Sequence, residues 1–269
     1  MPESDILFGG SIPELYDRLL VPLIFESYAR DLAERVSGMN PRELLETAAG
    51  TGVFTRAAAS KLPRARIVAT DLNEPMLTRA QARASHIRQI EWRQADALAL
   101  PFENESFDVV ACQFGVMFFP DKVRGYSEAR RVLRPGGHFV FNVWDRISEN
   151  WFADVVSQAM EGVFPNDPPR FLVRTPHAYH QPDRIREDLN ASGFTDISIN
   201  AVDATSRAAS PRDAAIAFCQ GTPLRNEIEA RDPSGLEEAT KQAANALASR
   251  FGSGAIEGGI RAFVITASR

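Results

Sequence analysis

A short glycine-containing turn is the first candidate for chemistry in this chain of 269 residues. The segment E-T-A-A-G-T-G runs from Glu46 to Gly52, between an apolar stretch and an alanine-rich one. Gly50 and Gly52 have no Cβ, so their backbone can approach a ligand closely and adopt unusual φ and ψ angles. A helix that starts behind the turn would add N–H groups without partners inside the helix. Taken alone, the turn fits either a ligand cradle or an ordinary strand-to-helix connection.

A carboxylate follows at the spacing of a nucleoside site. Asp71 closes the next predicted strand, 21 residues after Gly50. An acid about 20 residues beyond a glycine turn can accept hydrogen bonds from ribose hydroxyls. Asp71 or Asn73 could instead cap the following helix. The combination of glycine turn and spaced acid favours adenosine binding over a purely structural turn.

The residues around the turn separate two classes of cofactor. Dinucleotide folds use G-x-G-x-x-G, in which the third glycine permits close packing and the helix N-terminus holds a pyrophosphate. Thr55 stands at the third position here, and Glu46 precedes the turn. An acid at this place repels a pyrophosphate but suits a cationic sulfonium ligand with a free amine. The pattern therefore argues against NAD, with a solvated strand end as the alternative role of Glu46.

Strand-like and helix-like segments alternate around these residues. Apolar residues recurring every fourth position from Ile24 to Val36 predict a first helix. The segments that follow predict strands at 43–46, 65–70, 90–95, 107–112 and 138–144, and helices at 54–62, 74–84 and 121–133, the last stopped by the Pro-Gly-Gly of 135–137. This alternation implies right-handed βαβ units and an α/β fold with a parallel sheet covered on both faces. Ligands bind beyond the carboxyl ends of such strands, which makes the residues that close each strand the ones to examine.

The rest of the chain is less regular. Helices are predicted at 151–164 and 182–192 and over most of 211–250, with breaks near 221–223 and 233–235. Strands are predicted at 194–202 and 259–267, and the first dozen residues are expected to form a loose arm.

Composition restricts the partners and the setting. The net charge is −5 and no long basic run occurs, which disfavours a nucleic-acid partner. The two cysteines, Cys112 and Cys219, form neither a disulfide framework nor a zinc pattern, so no metal is expected and a reducing cytoplasm is the simplest setting. The N-terminus does not resemble a signal peptide, and no apolar stretch approaches the roughly 20 residues of a membrane helix.

Four ordered segments resemble the class I S-adenosylmethionine-dependent methyltransferases of the UbiE-like and type 11 groups. They cover about residues 44–144 and read L-L-E-T-A-A-G-T-G (44–52), I-V-A-T-D-L-N-E-P-M-L (67–77), Q-A-D-A-L-A-L-P-F-E-N-E-S-F-D-V-V (94–110) and R-R-V-L-R-P-G-G-H-F (130–139). The resemblance implies a Rossmann-like, seven-stranded, mostly parallel sheet with helices on both faces and an antiparallel last strand. It also implies methyl transfer from S-adenosylmethionine.

The resemblance assigns the cofactor-binding residues by position. They are Glu46, Ala48, Gly50, Thr51, Gly52, Asp71, Leu72, Met76, Asp96, Ala97, Gln113 and Phe114. The glycines would face the methionine and ribose, Asp71 the ribose hydroxyls, and Leu72 and Met76 the adenine. Asp96 would accept from the adenine amino group, the Ala97 N–H would meet a ring nitrogen, and Gln113 with Phe114 would lie near the methionine moiety. A loop cap for Asp96 and a core position for Met76 are the structural alternatives.

One departure from the family pattern lies inside the turn. Ala48 and Ala49 stand where the family has a glycine followed by a small residue. Because alanine disfavours positive φ, we expect a slightly different turn.

No motif determines the methyl acceptor, the accepting atom or a general base. His138, His177 and His180 form no recognisable set, and no N-P-P-[YF] follows the fourth strand. The segment there, Q-F-G-V-M-F-F-P, is apolar and could line a pocket or pack as core. The acceptor pocket is predicted from five residues: Tyr16, Met117, Phe118, Phe152 and Phe171.

The whole chain, residues 1–269, is predicted to be one methyltransferase domain with its cofactor-binding core at about 40–145. Helical insertions at about 150–180 and 210–252 would form a lid, since lids exclude water from a reaction. We expect a small, partly hydrophobic acceptor. An NAD(P)-dependent oxidoreductase and a non-enzymatic S-adenosylmethionine-binding protein are the alternatives, and the oligomeric state stays open, with a homodimer as one option.

Overall fold

Seven strands form one sheet in the computed structural model, which describes residues 2–269 of the chain. They are β1 (Glu43–Glu46), β2 (Arg66–Asp71), β3 (Ile90–Gln94), β4 (Phe107–Gln113), β5 (Leu133–Trp144), β6 (Thr195–Ala208) and β7 (Ile256–Ser268). Their order is β3-β2-β1-β4-β5-β7-β6. The pairs from β3 to β5 are parallel, and β7 is antiparallel to β5. The predicted Rossmann-like sheet and its antiparallel last strand are confirmed.

The helices alternate with the first five strands and then cluster in the second half of the chain. They are α1 (Ile12–Leu15), α2 (Glu26–Gly38), α3 (Val53–Lys61), α4 (Glu74–Ala84), α5 (Lys122–Val132), α6 (Trp151–Val163), α7 (Phe171–Arg174), α8 (Pro182–Ala191), α9 (Pro211–Cys219), α10 (Leu224–Arg231) and α11 (Leu236–Phe251). A π-helix, Tyr16–Phe25, joins α1 to α2. No helix within residues 2–269 is both long and apolar enough to cross a membrane.

The chain folds into two compact units. The sheet unit contains residues 26–144, 179–202 and 262–269, and the helical unit contains residues 2–25, 145–178 and 203–261. The predicted cofactor core lies in the sheet unit. Both predicted insertions belong almost entirely to the helical unit, together with the N-terminal segment. Their action as a lid stays a prediction.

The sheet unit buries apolar side chains on both faces of the sheet. Leu32 of α2 and Phe54 of α3 share one buried cluster with Val140 of β5. On the opposite face, the Tyr126 ring of α5 lies 5.4 Å from the Phe141 ring. Successive strand residues point to opposite faces, which is why β5 reads as a nearly continuous apolar run.

The boundaries of four elements differ from the sequence-based prediction. Helix α5 ends at Val132, because Leu133 already has extended backbone angles (φ −70°, ψ 144°). Strand β5 therefore begins before the Pro-Gly-Gly segment, next to a register irregularity between Phe107 and Val109 of β4. Strands β6 and β7 are longer than predicted, and they lie next to each other in the sheet. Pairing between distant strands, rather than local sequence, sets these ends.

The predicted loose arm at the N-terminus is wrong for Asp5, which is buried in the helical unit. Its carboxylate accepts a hydrogen bond from Arg174 Nη2 at 2.6 Å and one from the Thr175 hydroxyl. Arg174 also pairs with Glu227, whose Oε2 caps the start of α7 by accepting from the Arg170 N–H at 2.6 Å. The N-terminal segment is thus held to α7 by a buried ion cluster that no local pattern reveals.

We expect Asp5→Ala to lower the free energy of unfolding by about 1–3 kcal/mol, since it leaves Arg174 and Thr175 without one of their partners in a buried cluster. Arg174 is partly exposed and keeps Glu227, which limits the loss. Urea denaturation measures the effect. Glu161→Ala, at an exposed position of α6, should change stability by less than about 0.5 kcal/mol. Equal effects of the two substitutions would contradict a structural role for Asp5.

Candidate functional site

The strand order places the ends of β1 and β4 side by side. From β1 the sheet continues through β2 to β3 on one side, and from β4 to β5 on the other. This reversal of strand order is the switch point at which open parallel sheets bind ligands. Glu46 ends β1, Asp71 ends β2 and Gln113 ends β4. Three of the predicted cofactor-binding residues therefore meet at one edge of the sheet.

Backbone hydrogen bonds hold the glycine turn between two strands. The Thr47 N–H donates to the Ala111 carbonyl at 2.9 Å, and the Ala49 N–H donates to the Thr70 carbonyl at 2.8 Å. A Cβ at Gly52 would lie 2.6 Å from the Trp92 ring, so only glycine fits there.

Ala48 adopts a left-handed conformation with φ 54°, although alanine disfavours positive φ. The hydrogen bonds of its neighbours, Thr47 and Ala49, fix the backbone on both sides. The departure from the family pattern therefore appears as local backbone strain at Ala48, held by the surrounding structure.

The Asp71 carboxylate connects the turn to the end of β2. Its Oδ2 accepts the Gly50 N–H at 2.8 Å, and its Oδ1 accepts the Asn73 N–H at 2.8 Å. Burial raises the pKa of Asp71, and these hydrogen bonds oppose the rise. The next residue, Leu72, exposes 47% of its surface. Met76 is buried in α4, as its structural alternative predicted.

Glu46 is buried, so the alternative of a solvated strand end is wrong. The Thr55 hydroxyl donates to Glu46 Oε2 at 2.5 Å. The pKa of Glu46 is raised to about 8, mainly by burial; the nearby Asp71 also raises it, whereas the hydrogen bond from Thr55 and the charge of Arg56 lower it. A pKa of about 8 favours the protonated form of this carboxyl group near neutral pH. In the sequence, Thr55 was notable only because it stands where dinucleotide folds have a third glycine. In the structure it is the direct hydrogen-bond partner of Glu46.

The loop after β3 is attached to the end of β2. The Ala95 N–H donates to the Asp71 carbonyl at 3.0 Å. Asp96 is exposed and its Oδ1 accepts the Leu98 N–H at 2.8 Å, while Ala97 is half-buried. Asp96 thus acts as a loop cap, and its second carboxylate oxygen has capacity for another hydrogen bond.

The segment that closes β4 packs directly on the glycine turn. A Cβ at Gly115 would lie 2.5 Å from the Ala48 Cβ. The preceding residue, Phe114, has φ 52°, and its N–H donates to Asn142 Oδ1 at 3.0 Å. The Phe114 ring stacks on Trp144, with centroids 3.8 Å apart. Neither Asn142 nor Trp144 was predicted from the sequence. The sequence feature that could have indicated Asn142 is its polar side chain in the otherwise apolar end of β5.

The predicted acceptor-pocket residues fall in different units. Met117 and Phe118 lie in the sheet unit, in the 3₁₀ turn Val116–Phe118, where Met117 is buried and Phe118 half-buried. Tyr16, Phe152 and Phe171 lie in the helical unit. There Phe152 and Phe171 are buried, and Tyr16 stacks on Phe25 with centroids 5.2 Å apart. Their role in an acceptor pocket stays a prediction.

The histidines give no catalytic set. His177 is buried in the helical unit, with Nδ1 2.9 Å from the Asp145 carbonyl oxygen. His138 begins the regular pairing of β5 with β7 and lies at the opposite end of the strand from Trp144. Within residues 2–269, no group of three or more histidine, cysteine or acidic side chains could hold a metal ion.

Comparison with known proteins identifies the family. Residues 45–141 match the family model of the methyltransferase domain. The demethylmenaquinone methyltransferase of Thermus thermophilus is 31% identical over 168 residues, 58% of this chain and 75% of that protein. That of Deinococcus radiodurans is 29% identical over 200 residues, 70% and 83% of the two chains. The chain belongs to the class I S-adenosylmethionine-dependent methyltransferases of the UbiE-like group. It is an enzyme that uses S-adenosylmethionine as its cofactor.

A solved structure supports the fold of this methyltransferase. The YcgJ protein of Bacillus subtilis superimposes with a TM-score of 0.60 and 16% sequence identity, over 90% of this chain and 98% of that one. At this identity the likeness concerns the fold alone.

At this edge of the sheet, two buried polar atoms of the methyltransferase have no hydrogen-bond partner among the residues that the structure describes. They are Thr51 Oγ1 in the glycine turn and Asn142 Nδ2 on β5. Buried polar groups are nearly always hydrogen-bonded. A buried group without a partner in the protein is therefore a candidate for a hydrogen bond to a ligand. Together with the buried acids and the exposed Leu72, Thr51 makes this edge of the sheet fit a polar ligand with an apolar ring.

We expect Glu46→Gln to change the pH dependence of stability. Because the folded-state pKa of Glu46 is about 8, against 4.5 for the ordinary group, the wild type loses stability as pH rises through this window. Glutamine cannot ionise. The free energy of unfolding of the variant therefore increases relative to that of the wild type by up to about 1.4 kcal/mol per pH unit, and the difference levels off above about pH 8. Urea denaturation of the ligand-free protein across this range measures it. A pH-independent difference would show that Glu46 is ionised throughout.

Ala48→Gly should raise the free energy of unfolding by up to about 1 kcal/mol, because the relief of left-handed strain outweighs the added flexibility of the unfolded chain. Ala57→Gly is the matched control, in the interior of α3, where it should cost about 1 kcal/mol. Thermal and urea denaturation of both variants give the two signs. A loss at position 48 equal to that at position 57 would contradict the strain.

Proposed function

We propose that this methyltransferase transfers the methyl group of S-adenosylmethionine to a small, partly hydrophobic acceptor of the quinol class. The observation that carries the proposal is the apolar segment that closes β4. Val116, Met117 and Phe119 are buried there, Phe118 is half-buried, and the segment packs on the glycine turn through Gly115. Both relatives described above are named as demethylmenaquinone methyltransferases, which supports an aromatic acceptor.

The roles that we propose for the cofactor-binding residues follow from their surroundings. Asp71 is inferred to accept hydrogen bonds from the ribose hydroxyls, since each carboxylate oxygen can accept more than the bond it already has. The exposed Leu72 offers an apolar surface to the adenine ring. Asp96 and the Ala97 N–H would pair with the edge of that ring. Glu46, Thr51 and the glycines would meet the methionine end, together with Gln113 and Phe114.

When bound, S-adenosylmethionine supplies an electrophilic methyl group on a cationic sulfur. The contribution of the protein is then mainly to orient the two reactants, because alignment of reacting groups alone can provide a large part of a rate enhancement. Lys122 binds the apolar segment after β4. Its Nζ donates to the Met117 carbonyl at 3.1 Å and to the Phe119 carbonyl at 2.6 Å. We infer that these bonds fix the apolar segment against which the acceptor lies.

We also infer a small-molecule partner and a reducing cytoplasmic setting. Cys112 and Cys219 are both buried free thiols, and burial raises the pKa of each to about 12. The predicted lid, formed by the insertions of the helical unit, belongs to the same proposal.

Calorimetric titration tests the cofactor roles. S-adenosylmethionine and S-adenosylhomocysteine should bind, whereas NADH should not. Asp71→Ala should weaken both ligands by about 10- to 100-fold, the loss expected when hydrogen bonds to a charged group disappear. Asp183→Ala, which removes an exposed carboxylate of α8, is the matched control and should leave both affinities unchanged. Equal affinities in the two variants would contradict the role of Asp71.

Transfer of an isotopically labelled methyl group tests the acceptor class. The panel should contain a short-chain demethylmenaquinol, a simple catechol, a primary amine and a carboxylic acid. We expect label in the quinol, with the catechol as a poorer acceptor, and mass spectrometry then identifies whether carbon or oxygen is methylated. Label in the amine or the acid alone would overturn the quinol assignment and leave the methyltransferase activity intact.

A further inference from the structure

The Glu46 carboxyl group has an unusual position for an acid that is predicted to face a cation. It is fully buried, and among residues 2–269 the Thr55 hydroxyl is its only hydrogen-bond donor. A carboxylate has room for about four hydrogen bonds, so an ionised Glu46 would be poorly compensated in the ligand-free protein.

The charged and titratable groups around Glu46 leave an excess of negative charge. Asp71 faces it from β2, and Arg56 faces it from α3, where Nη1 donates to the Thr51 carbonyl at 2.6 Å. The thiol of Cys112, on β4, stays neutral because burial raises its pKa to about 12. Among the described residues, two acids thus share the one cation that acts on Glu46, so ionisation of both acids would leave a buried negative charge that is costly.

Hydrogen bonding decides which acid stays neutral. Asp71 accepts the N–H groups of Gly50 and Asn73, and these donors stabilise its charged form. Glu46 accepts only from Thr55, and burial is the largest influence on its pKa. The proton of the ligand-free protein therefore lies on Glu46.

We propose that S-adenosylmethionine exchanges places with this proton: as the ligand's ammonium group enters, Glu46 releases one proton to solvent and becomes its carboxylate partner. The inference rests on the proposed binding of the methionine end beside Glu46. The O–H bond of the carboxylic acid breaks, no other covalent bond changes, and the ligand keeps its own ammonium protons. Glu46 is thus protonated before the cofactor binds, and the ammonium group of the cofactor supplies a cationic partner for the Glu46 carboxylate.

This exchange gives cofactor binding a characteristic pH dependence. Below pH 8 the affinity for S-adenosylmethionine should rise with pH, by up to about tenfold per unit, because the free-energy cost of removing the Glu46 proton falls as pH rises. Above about pH 8 the ligand's own amine begins to lose its proton, so the gain ends there. A ligand that has the adenosine part but no amino-acid end should show neither effect.

The experiment is calorimetric titration at about pH 6.5, where the ligand amine is protonated, in several buffers of different ionisation enthalpy. The slope of the observed enthalpy against buffer enthalpy gives the number of protons released. We expect about one proton for S-adenosylmethionine and for S-adenosylhomocysteine. 5′-Methylthioadenosine, which lacks the ammonium group, should release none. This pair of ligands tests the exchange on the unmodified protein.

Two variants assign the proton to its residue. Glu46→Gln should bind S-adenosylmethionine without proton release, whereas Glu43→Gln, the same change at the half-buried first residue of β1, should still release about one proton. Binding of S-adenosylmethionine to the wild type without proton release would overturn the exchange alone. So would proton release that persists in Glu46→Gln or that accompanies 5′-methylthioadenosine. Failure of the wild type to bind S-adenosylmethionine at any pH would overturn the proposed function and the exchange together.

Discussion

The hydrogen bond between the Gly50 N–H and the Asp71 carboxylate joins the glycine turn to the neighbouring strand, and the site depends on it. It brings the acid that closes β2 against the turn that follows β1. The same carboxylate accepts the Asn73 N–H and so fixes the start of the connection to α4. One buried side chain therefore connects the turn after β1 to the end of β2, beside the exposed Leu72.

The other side of the turn is fixed by packing rather than by charge. Gly115 lies so close to Ala48 that position 115 has no room for a side chain. Asn142 holds Phe114 in a left-handed conformation through the Phe114 N–H, and Trp144 covers the Phe114 ring. Close-packed contacts of this kind tolerate little displacement, so the end of β4 is a rigid wall of the site.

Electrostatics explains why such a compact site can still favour a cationic ligand. Glu46 and Asp71 are both buried, and an isolated buried charge is costly unless it has a partner. Asp71 finds partners in backbone N–H groups, whereas Glu46 has the Thr55 hydroxyl and a proton. The protonated Glu46 thus avoids a buried charge in the folded protein. When it loses the proton, it becomes a carboxylate that attracts a cationic ligand.

Local sequence patterns determined the parts of this protein that depend on neighbouring residues. Helix α4 runs from Glu74 to Ala84, as the sequence predicted. The strand ends at Glu46, Asp71 and Gln113 were located correctly, because an apolar run that stops at a polar residue is visible in the sequence. Parallel strands then require these ends to meet at one edge of the sheet, which is why motif order alone indicated the site and the family.

Tertiary structure decided the features that depend on residues far apart in the chain. The burial of Glu46, the pairing of Phe114 with Asn142 and the ion pair of Asp5 with Arg174 join segments whose sequences carry no sign of one another. The strain at Ala48 likewise arises because β2 and β4 hold its neighbours from both sides. A local pattern reports which conformations a segment prefers. Which buried group gains a partner, and which keeps a proton instead, is determined only when the strands have come together.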